Sequence, residues 1–129
     1  MRILETVLYA EDLHAARAFY EGVLGLSVIS FDETRSLFLR LDGSVLILFK
    51  SSRTVIPDSD VPPHGTVGCG HLAFRASRVE LEKWRTTLEG QGIPVIKEID
   101  WGNGAKSIYF TDPAGNVLEF ATPDLWGLE

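Results

Sequence analysis

The sequence predicts an α+β fold made of two tandem βαβββ modules. Three observations carry that prediction. The order strand, helix, three strands occurs twice along the 129 residues; the two occurrences align in register; and turn residues stand at equivalent places in both.

The first module begins with Ile3-Leu-Glu-Thr-Val-Leu-Tyr9, where Ile3, Glu5, Val7 and Tyr9 point one way and Leu4, Thr6 and Leu8 the other, as a strand requires. Asp12 offers a helix N-cap. Leu13, Ala16, Phe19, Tyr20, Val23 and Leu24 then recur at helical spacing, and Gly25 ends the helix in a left-handed turn. Three short strands are expected at Ser27–Phe31, Ser36–Leu41 and Val45–Lys50, with Asp42-Gly43 as the hairpin turn between the last two.

Residues 51–68 break this rhythm. Ser51-Ser52, Pro57, Asp58, Pro62-Pro63, His64 and Gly65 read as a linker with little regular structure. The order then restarts. Gly70-His-Leu-Ala-Phe-Arg75 is a strand, and Ser77 with Glu80 forms a capping box for a helix whose stripe is Leu81, Trp84 and Leu88. Gly90 and Gly92 stop it; Val95–Ile99, Lys106–Phe110 and Val117–Ala121 supply three more strands, the last two joined by the turn Asp112-Pro-Ala-Gly-Asn116. Residues 1–50, 51–68 and 69–129 are thus first module, linker and second module of one domain.

Aligned, Ser36-Leu-Phe-Leu39 lies against Ser107-Ile-Tyr-Phe110, and Val45–Phe49 against Val117–Phe120. Glu5 then falls on His71, and Ile47 on Glu119. One matching strand arises easily by chance; four elements in register argue for duplication.

Bulk properties narrow the function. Twelve basic against eighteen acidic residues leave a net charge of −6 with no Lys/Arg cluster, so nucleic acid is not an expected partner. The longest apolar runs, such as Val45–Phe49, are too short to cross a bilayer. The start Met-Arg-Ile-Leu-Glu places a carboxylate where a secretory signal needs apolar residues, and a cytoplasmic location is expected. A single cysteine, Cys69, excludes an internal disulfide and a multi-cysteine zinc cage. A small-molecule ligand or a protein partner remains.

Leu72 with Phe74, Leu118 with Phe120, and Leu4 with Leu8 form the strand faces expected to pack against the two helices. The opposite faces carry Glu5, His71 and Glu119, each flanked by small or apolar residues. An ionised carboxylate in such company is expensive to desolvate unless paired or ligated. Three such residues at corresponding strands of a repeat are expected to converge.

Glu5-Thr-Val-Leu-Tyr with Phe19-Tyr-Glu-Gly-Val-Leu-Gly-Leu26 resembles the opening of a vicinal oxygen chelate module, and Gly70-His-Leu-Ala-Phe, Asp112-Pro-Ala-Gly-Asn and Val117-Leu-Glu-Phe resemble its second module. This superfamily includes glyoxalases, bleomycin resistance proteins and extradiol dioxygenases. The resemblance implies a half-open mixed β-barrel around a divalent metal, with ligands from the first and last strands of each module. Carried over by position, the ligands are Glu5, His71 and Glu119, while Ile47 leaves the fourth protein ligand typical of glyoxalase I absent. Three ligands with open positions describe a catalytic site rather than a closed structural one. One His with two carboxylates is not the two-His, one-carboxylate triad of non-haem iron oxygenases, which argues against an extradiol dioxygenase and leans toward Mn²⁺, Zn²⁺, Ni²⁺ or Mg²⁺.

The resemblance further implies a metal-dependent lyase, isomerase or transferase acting on a small oxygenated substrate, with Glu5 and Glu119 as candidate proton carriers. Phe38 and Tyr109, at equivalent strand positions, are candidate pocket walls; Arg40 and Arg75 are candidate contacts to an anionic ligand; Trp101 is expected in a loop with Gly102-Asn-Gly104, as a lid. His14 and His64 are expected to be exposed, and Cys69 to be a small buried hydrophobe. A homodimer is implied, in which modules pair within or between chains. The alternative is a metal-free binding protein of the bleomycin-resistance kind, sequestering an aromatic or cationic ligand; the triplet Glu5, His71 and Glu119 is the feature sequestration does not require.

Overall fold

The first unit, Met1–Gly70 with Pro113–Gly115, is built on a sheet of order β1-β4-β3-β2. Its strands are β1 (Glu5–Tyr9), β2 (Ser27–Asp32), β3 (Ser36–Arg40) and β4 (Val45–Phe49), with β1 parallel to β4 and the other pairs antiparallel. Coordinates come from a computed structural model that describes residues 1–58 and 60–128; Ser59 of the expected linker and Glu129 of the expected second module lie outside the described residues.

Asp12 caps α1 (Leu13–Arg17), its Oδ1 accepting from the Ala15 N–H at 3.0 Å. The helix continues as a π-helical segment over Ala18–Val23, closed by a bond from Leu24 N–H to the Phe19 carbonyl. Phe19 and Tyr20, neighbours on the expected apolar stripe, both face the core, at 4% and 0% exposure. Gly25, at φ 71°, ends it as expected. Leu13 and Ala16 are buried together with Leu37, Leu39, Leu46 and Leu48 of the sheet.

The linker holds more structure than its composition suggests. α2 (Ser51–Thr54) is one helical turn, held because the Glu11 carboxylate accepts from both the Ser52 N–H (2.9 Å) and the Ser52 hydroxyl (2.6 Å). That tie joins residues far apart in sequence, so local composition does not reveal it.

The second unit, His71–Asp112 with Asn116–Glu129, repeats the plan with order β5-β8-β7-β6. Its strands are β5 (His71–Arg75), β6 (Lys97–Gly102), β7 (Ala105–Thr111) and β8 (Val117–Ala121), and its helix is α3 (Arg78–Gly90). The Ser77/Glu80 capping box forms with both reciprocal bonds. Leu81 and Leu88 are buried, and Trp84 stacks on Phe120 at 4.6 Å, with Phe74 and Phe110 completing an aromatic cluster around Phe120. The sixth strand lies two residues later than the apolar run Val95-Ile-Lys-Glu-Ile99 indicates, because pairing with β7 rather than apolar content defines it. Trp101 is therefore a strand residue rather than a loop residue. A 3₁₀ turn, Pro123–Trp126, follows β8 and is pinned by Arg78, whose guanidinium meets Asp124 at 2.8 Å.

The chain is thus an α+β fold of two four-stranded mixed sheets, as its sequence predicts. Among the described residues no helix is long and apolar enough to cross a membrane.

Candidate metal-binding face

In the second sheet, His71 pairs with Val117 and Ala73 with Glu119 along the parallel β5–β8 ladder, while Glu119 pairs with Tyr109 and Tyr109 with Lys97 on the other side. His71, Glu119, Tyr109 and Lys97 therefore share the sheet face turned away from α3, which covers Ile108, Phe110, Leu118 and Phe120. The turn before β8 is closed by a double clasp: Asn116 donates its N–H to Asp112 Oδ1 (2.9 Å) and its Nδ2 to Asp112 Oδ2 (2.8 Å). This holds β8 in the register that aims Glu119 at the shared face.

His71 and Glu119 meet. The His71 Nε2 lies 3.3 Å from Glu119 Oε2, and His71 Nδ1 lies 3.0 Å from the Val117 carbonyl oxygen. A carbonyl only accepts, so Nδ1 carries the hydrogen, and in the neutral ring Nε2 presents a lone pair. Two lone-pair donors then face each other across 3.3 Å, an arrangement that calls for a proton or a cation between them. Metal bonds of about 2.1 Å opening at about 90–110° put N and O at about 3.0–3.4 Å, so the observed gap suits one divalent ion. The carboxylate is the buried member, at 7% side-chain exposure against 52% for the imidazole, so the pair is open on the His71 side. Donation from a metal-binding His to a carbonyl is also the usual outer-shell support for ligation.

Tyr109 adds a third group. Its ring stacks on His71 at 6.2 Å and 21°. Burial, and then the Glu119 carboxylate to which its hydroxyl donates, hold the phenol above its ordinary value near 10, so it stays a neutral donor. Trp101, expected in a lid, instead donates its indole N–H to the buried Ser107 hydroxyl at 2.9 Å and stiffens the β6–β7 hairpin. Arg75 is exposed at the end of β5 on the same face. Lys97 is the cation that sequence reading missed: it faces Tyr109, and alternation within the expected strand Val95–Ile99 already puts it on one face with Val95 and Ile99, though not opposite which residue.

Glu5 belongs to the first unit, exposed on the outer strand β1 and paired with Val45, whose other neighbour is Arg40. Ile47, the counterpart of Glu119, is 2% exposed and pairs with Phe38. Phe38 packs edge-on against Phe49 at 6.0 Å, and Phe49 against His64 at 5.0 Å. His64 is half-buried rather than exposed, because its Nδ1 is bonded to the Tyr9 hydroxyl at 2.6 Å. His14 is exposed as expected and pairs with Glu33. Cys69 is exposed rather than buried, since it precedes β5 instead of lying in it. Among the described residues no group of three His, Cys, Asp or Glu side chains able to hold a metal forms within the chain; the second unit assembles two, His71 and Glu119.

Comparison with known proteins gives this geometry a context. Residues 2–120 match the family model of the Glyoxalase/Bleomycin resistance protein/Dioxygenase superfamily. Metallothiol transferase FosB of Staphylococcus haemolyticus (strain JCSC1435) is 32% identical over 108 residues, covering 83% of this chain and 73% of that protein. The FosB of Lysinibacillus sphaericus (strain C3-41) is 32% identical over 116 residues, covering 88% and 77%. Among solved structures, a lactoylglutathione lyase from Agrobacterium tumefaciens superposes with a TM-score of 0.95 at 40% identity, covering 99% of this chain and 98% of that one.

Proposed function

Because the chain belongs to the Glyoxalase/Bleomycin resistance protein/Dioxygenase superfamily, we propose that it is a divalent-metal-dependent enzyme, a lyase, isomerase or transferase acting on a small oxygenated substrate. The observation that carries this reading is the 3.3 Å gap between His71 Nε2 and Glu119 Oε2, with His71 Nδ1 committed to the Val117 carbonyl. His71 and Glu119 are the metal ligands, and Glu5 is the third. The two modules act as one domain in a cytoplasmic homodimer, and Glu5 is supplied by the partner chain, consistent with its exposure on an edge strand.

His71, Glu119 and Glu5 would hold a Mn²⁺, Zn²⁺, Ni²⁺ or Mg²⁺ ion, which would supply Lewis acidity to substrate oxygens. The chain's own residues do the rest. The Val117 carbonyl orients the His71 ring, and the Tyr109 phenol lies beside the Glu119 carboxyl as a neutral donor. Ile47, apolar and buried, would add no ligand to such an ion, leaving room in its coordination for substrate. Glu5 and Glu119 are the carboxylates able to carry a proton. Phe38 and Tyr109 form apolar walls, Trp101 borders the face, and Arg40, Arg75 and Lys97 are the cations available to an anionic end of the substrate. Two relatives carry names that involve a thiol or its thioester, so a thiol-bearing substrate is the first class to screen.

The test is thiol addition to small electrophiles and isomerisation of thiol–aldehyde adducts, with each metal in turn. Turnover that needs metal and disappears in His71→Ala and Glu119→Gln, both still folded, supports the reading. Turnover indifferent to chelator and to both substitutions contradicts it, as does the absence of metal binding, which would favour sequestration of an aromatic or cationic ligand.

A further inference from the structure

The first unit contains a cavity of about 590 Å³ that shares no residue with the His71–Glu119 pair. It opens where β1 ends, at Tyr9, and runs between the Glu11-Asp12 corner, α2 with Val55, and the segment Thr66–Gly68. Its volume lies within the roughly 300–1,000 Å³ usual for small-molecule sites. The lining is mostly apolar, and among the described residues its charged members are two carboxylates, Glu11 and Asp12.

The walls are braced from several sides. Gly65 lies so close to α2 that a Cβ there would sit 2.5 Å from Val55 Cγ1 and 2.6 Å from the Ser51 hydroxyl. His64 N–H donates to the Thr54 carbonyl at 3.0 Å, and the His64 ring is bonded to the Tyr9 hydroxyl. Glu11 grips Ser52 through both carboxylate oxygens. A Pro-rich connection that could run freely through solvent is thus tied at three places onto one cavity wall. Val55 and Val67 nevertheless remain exposed, apolar surface that an occupant would remove from water.

We propose that this cavity is a second ligand site, separate from the metal face, for a small amine with an apolar body. The apolar lining takes the body. Two carboxylates on the wall, against one nearby base (Lys50, beside Glu11 and outside the lining) and on a chain of net charge −6, favour an ammonium over a neutral or anionic head. The bonds from Ser52 hold the Glu11 carboxyl below its usual range, so it stays ionised into mild acid. The site needs neither metal nor Glu119, so it stands or falls independently of the enzymatic reading.

The test is titration of the ¹⁵N-labelled protein with phenethylammonium, against its neutral near-isostere 2-phenylethanol, followed by amide shifts. Expected are saturable shifts at Ala10, Ser52 and Thr66–Gly68 with millimolar affinity for the amine and weaker binding of the alcohol. Glu11→Gln combined with Asp12→Asn, which keep one acceptor for the Ser52 N–H, an amide that can donate to the Ser52 hydroxyl, and the helix-cap acceptor, is expected to weaken the amine by about tenfold. Val55→Trp fills the cavity from an exposed position and is expected to abolish the shifts, as is Gly65→Ala by displacing Val55. Absence of saturable shifts, equal binding of the alcohol, or saturation that survives Val55→Trp and is lost in His71→Ala overturns the proposal.

Discussion

A histidine whose Nδ1 faces a carbonyl has one nitrogen left to offer, and His71 offers it to a carboxylate. Glu119 in turn leans on the Tyr109 hydroxyl. Tyr109→Phe keeps the ring stacked on His71 but removes the hydroxyl beside the buried Glu119 carboxyl, so it should lower the stability of the metal-free protein by about 1 kcal/mol in urea unfolding. Metal binding should survive in that variant, because neither ligand is touched. Ile47→Glu probes the repeat itself. In the metal-free protein it buries a carboxylate at a 2%-exposed site, with an expected cost of about 3 kcal/mol. Added divalent metal should raise its unfolding temperature more than it raises that of the unsubstituted protein if the position retains its ligating geometry.

At the scale of elements, α3 is held by its cap and by one aromatic stack. Ser77→Ala removes the cap bond to Glu80 and should cost about 1 kcal/mol, whereas Trp84→Ala leaves Phe120 uncovered and should cost about 3–5 kcal/mol, both read by denaturant unfolding. These features were legible in sequence because they are local: the Ser77/Glu80 spacing, the Leu81–Trp84–Leu88 stripe, and β8, whose bounds agree with the alternation of Val117–Ala121. Glu119 and His71 stood out for the same reason, as polar residues among apolar neighbours. What stayed hidden depends on distant partners. The Tyr9–His64 bond spans 55 positions and the Glu11–Ser52 grip spans 41, so neither a half-buried His64 nor α2 follows from the linker's composition. The strand at 97–102 departs from its local pattern for a related reason, since its bounds come from pairing with β7 while Asp-Trp-Gly reads locally as a turn. The π-helical segment is likewise not marked by the local pattern, which reads as an ordinary amphipathic helix.

For the whole molecule, acid stability follows from four carboxyls whose folded-state values are lowered: Glu11 and Glu80 from about 4.5, and Asp32 and Asp124 from about 3.8. Side-chain and backbone bonds to Ser52, Ser77, Thr34 and Thr122 with Arg78 are the main causes. A lowered folded value means that the unfolded chain takes up the proton first. Their contribution is therefore complete above about pH 4.5 and drains as the pH falls through the lower folded values, so unfolding temperature should hold to that point and then decline. The proposed homodimer belongs to this scale too: sedimentation should give twice the chain mass at micromolar concentration, and a monomer that still binds metal would remove the need for a partner's carboxylate.

The most direct test of the central claim is the metal content of protein purified without chelator or affinity-tag metal, measured beside His71→Ala, Glu119→Gln and Glu5→Gln. A divalent metal near stoichiometry in the unsubstituted protein, lost in the first two variants and weakened in the third, is the predicted result. Metal retained undiminished in His71→Ala and Glu119→Gln, or no binding at all after reconstitution with Mn²⁺, Zn²⁺, Ni²⁺ and Mg²⁺, would contradict it.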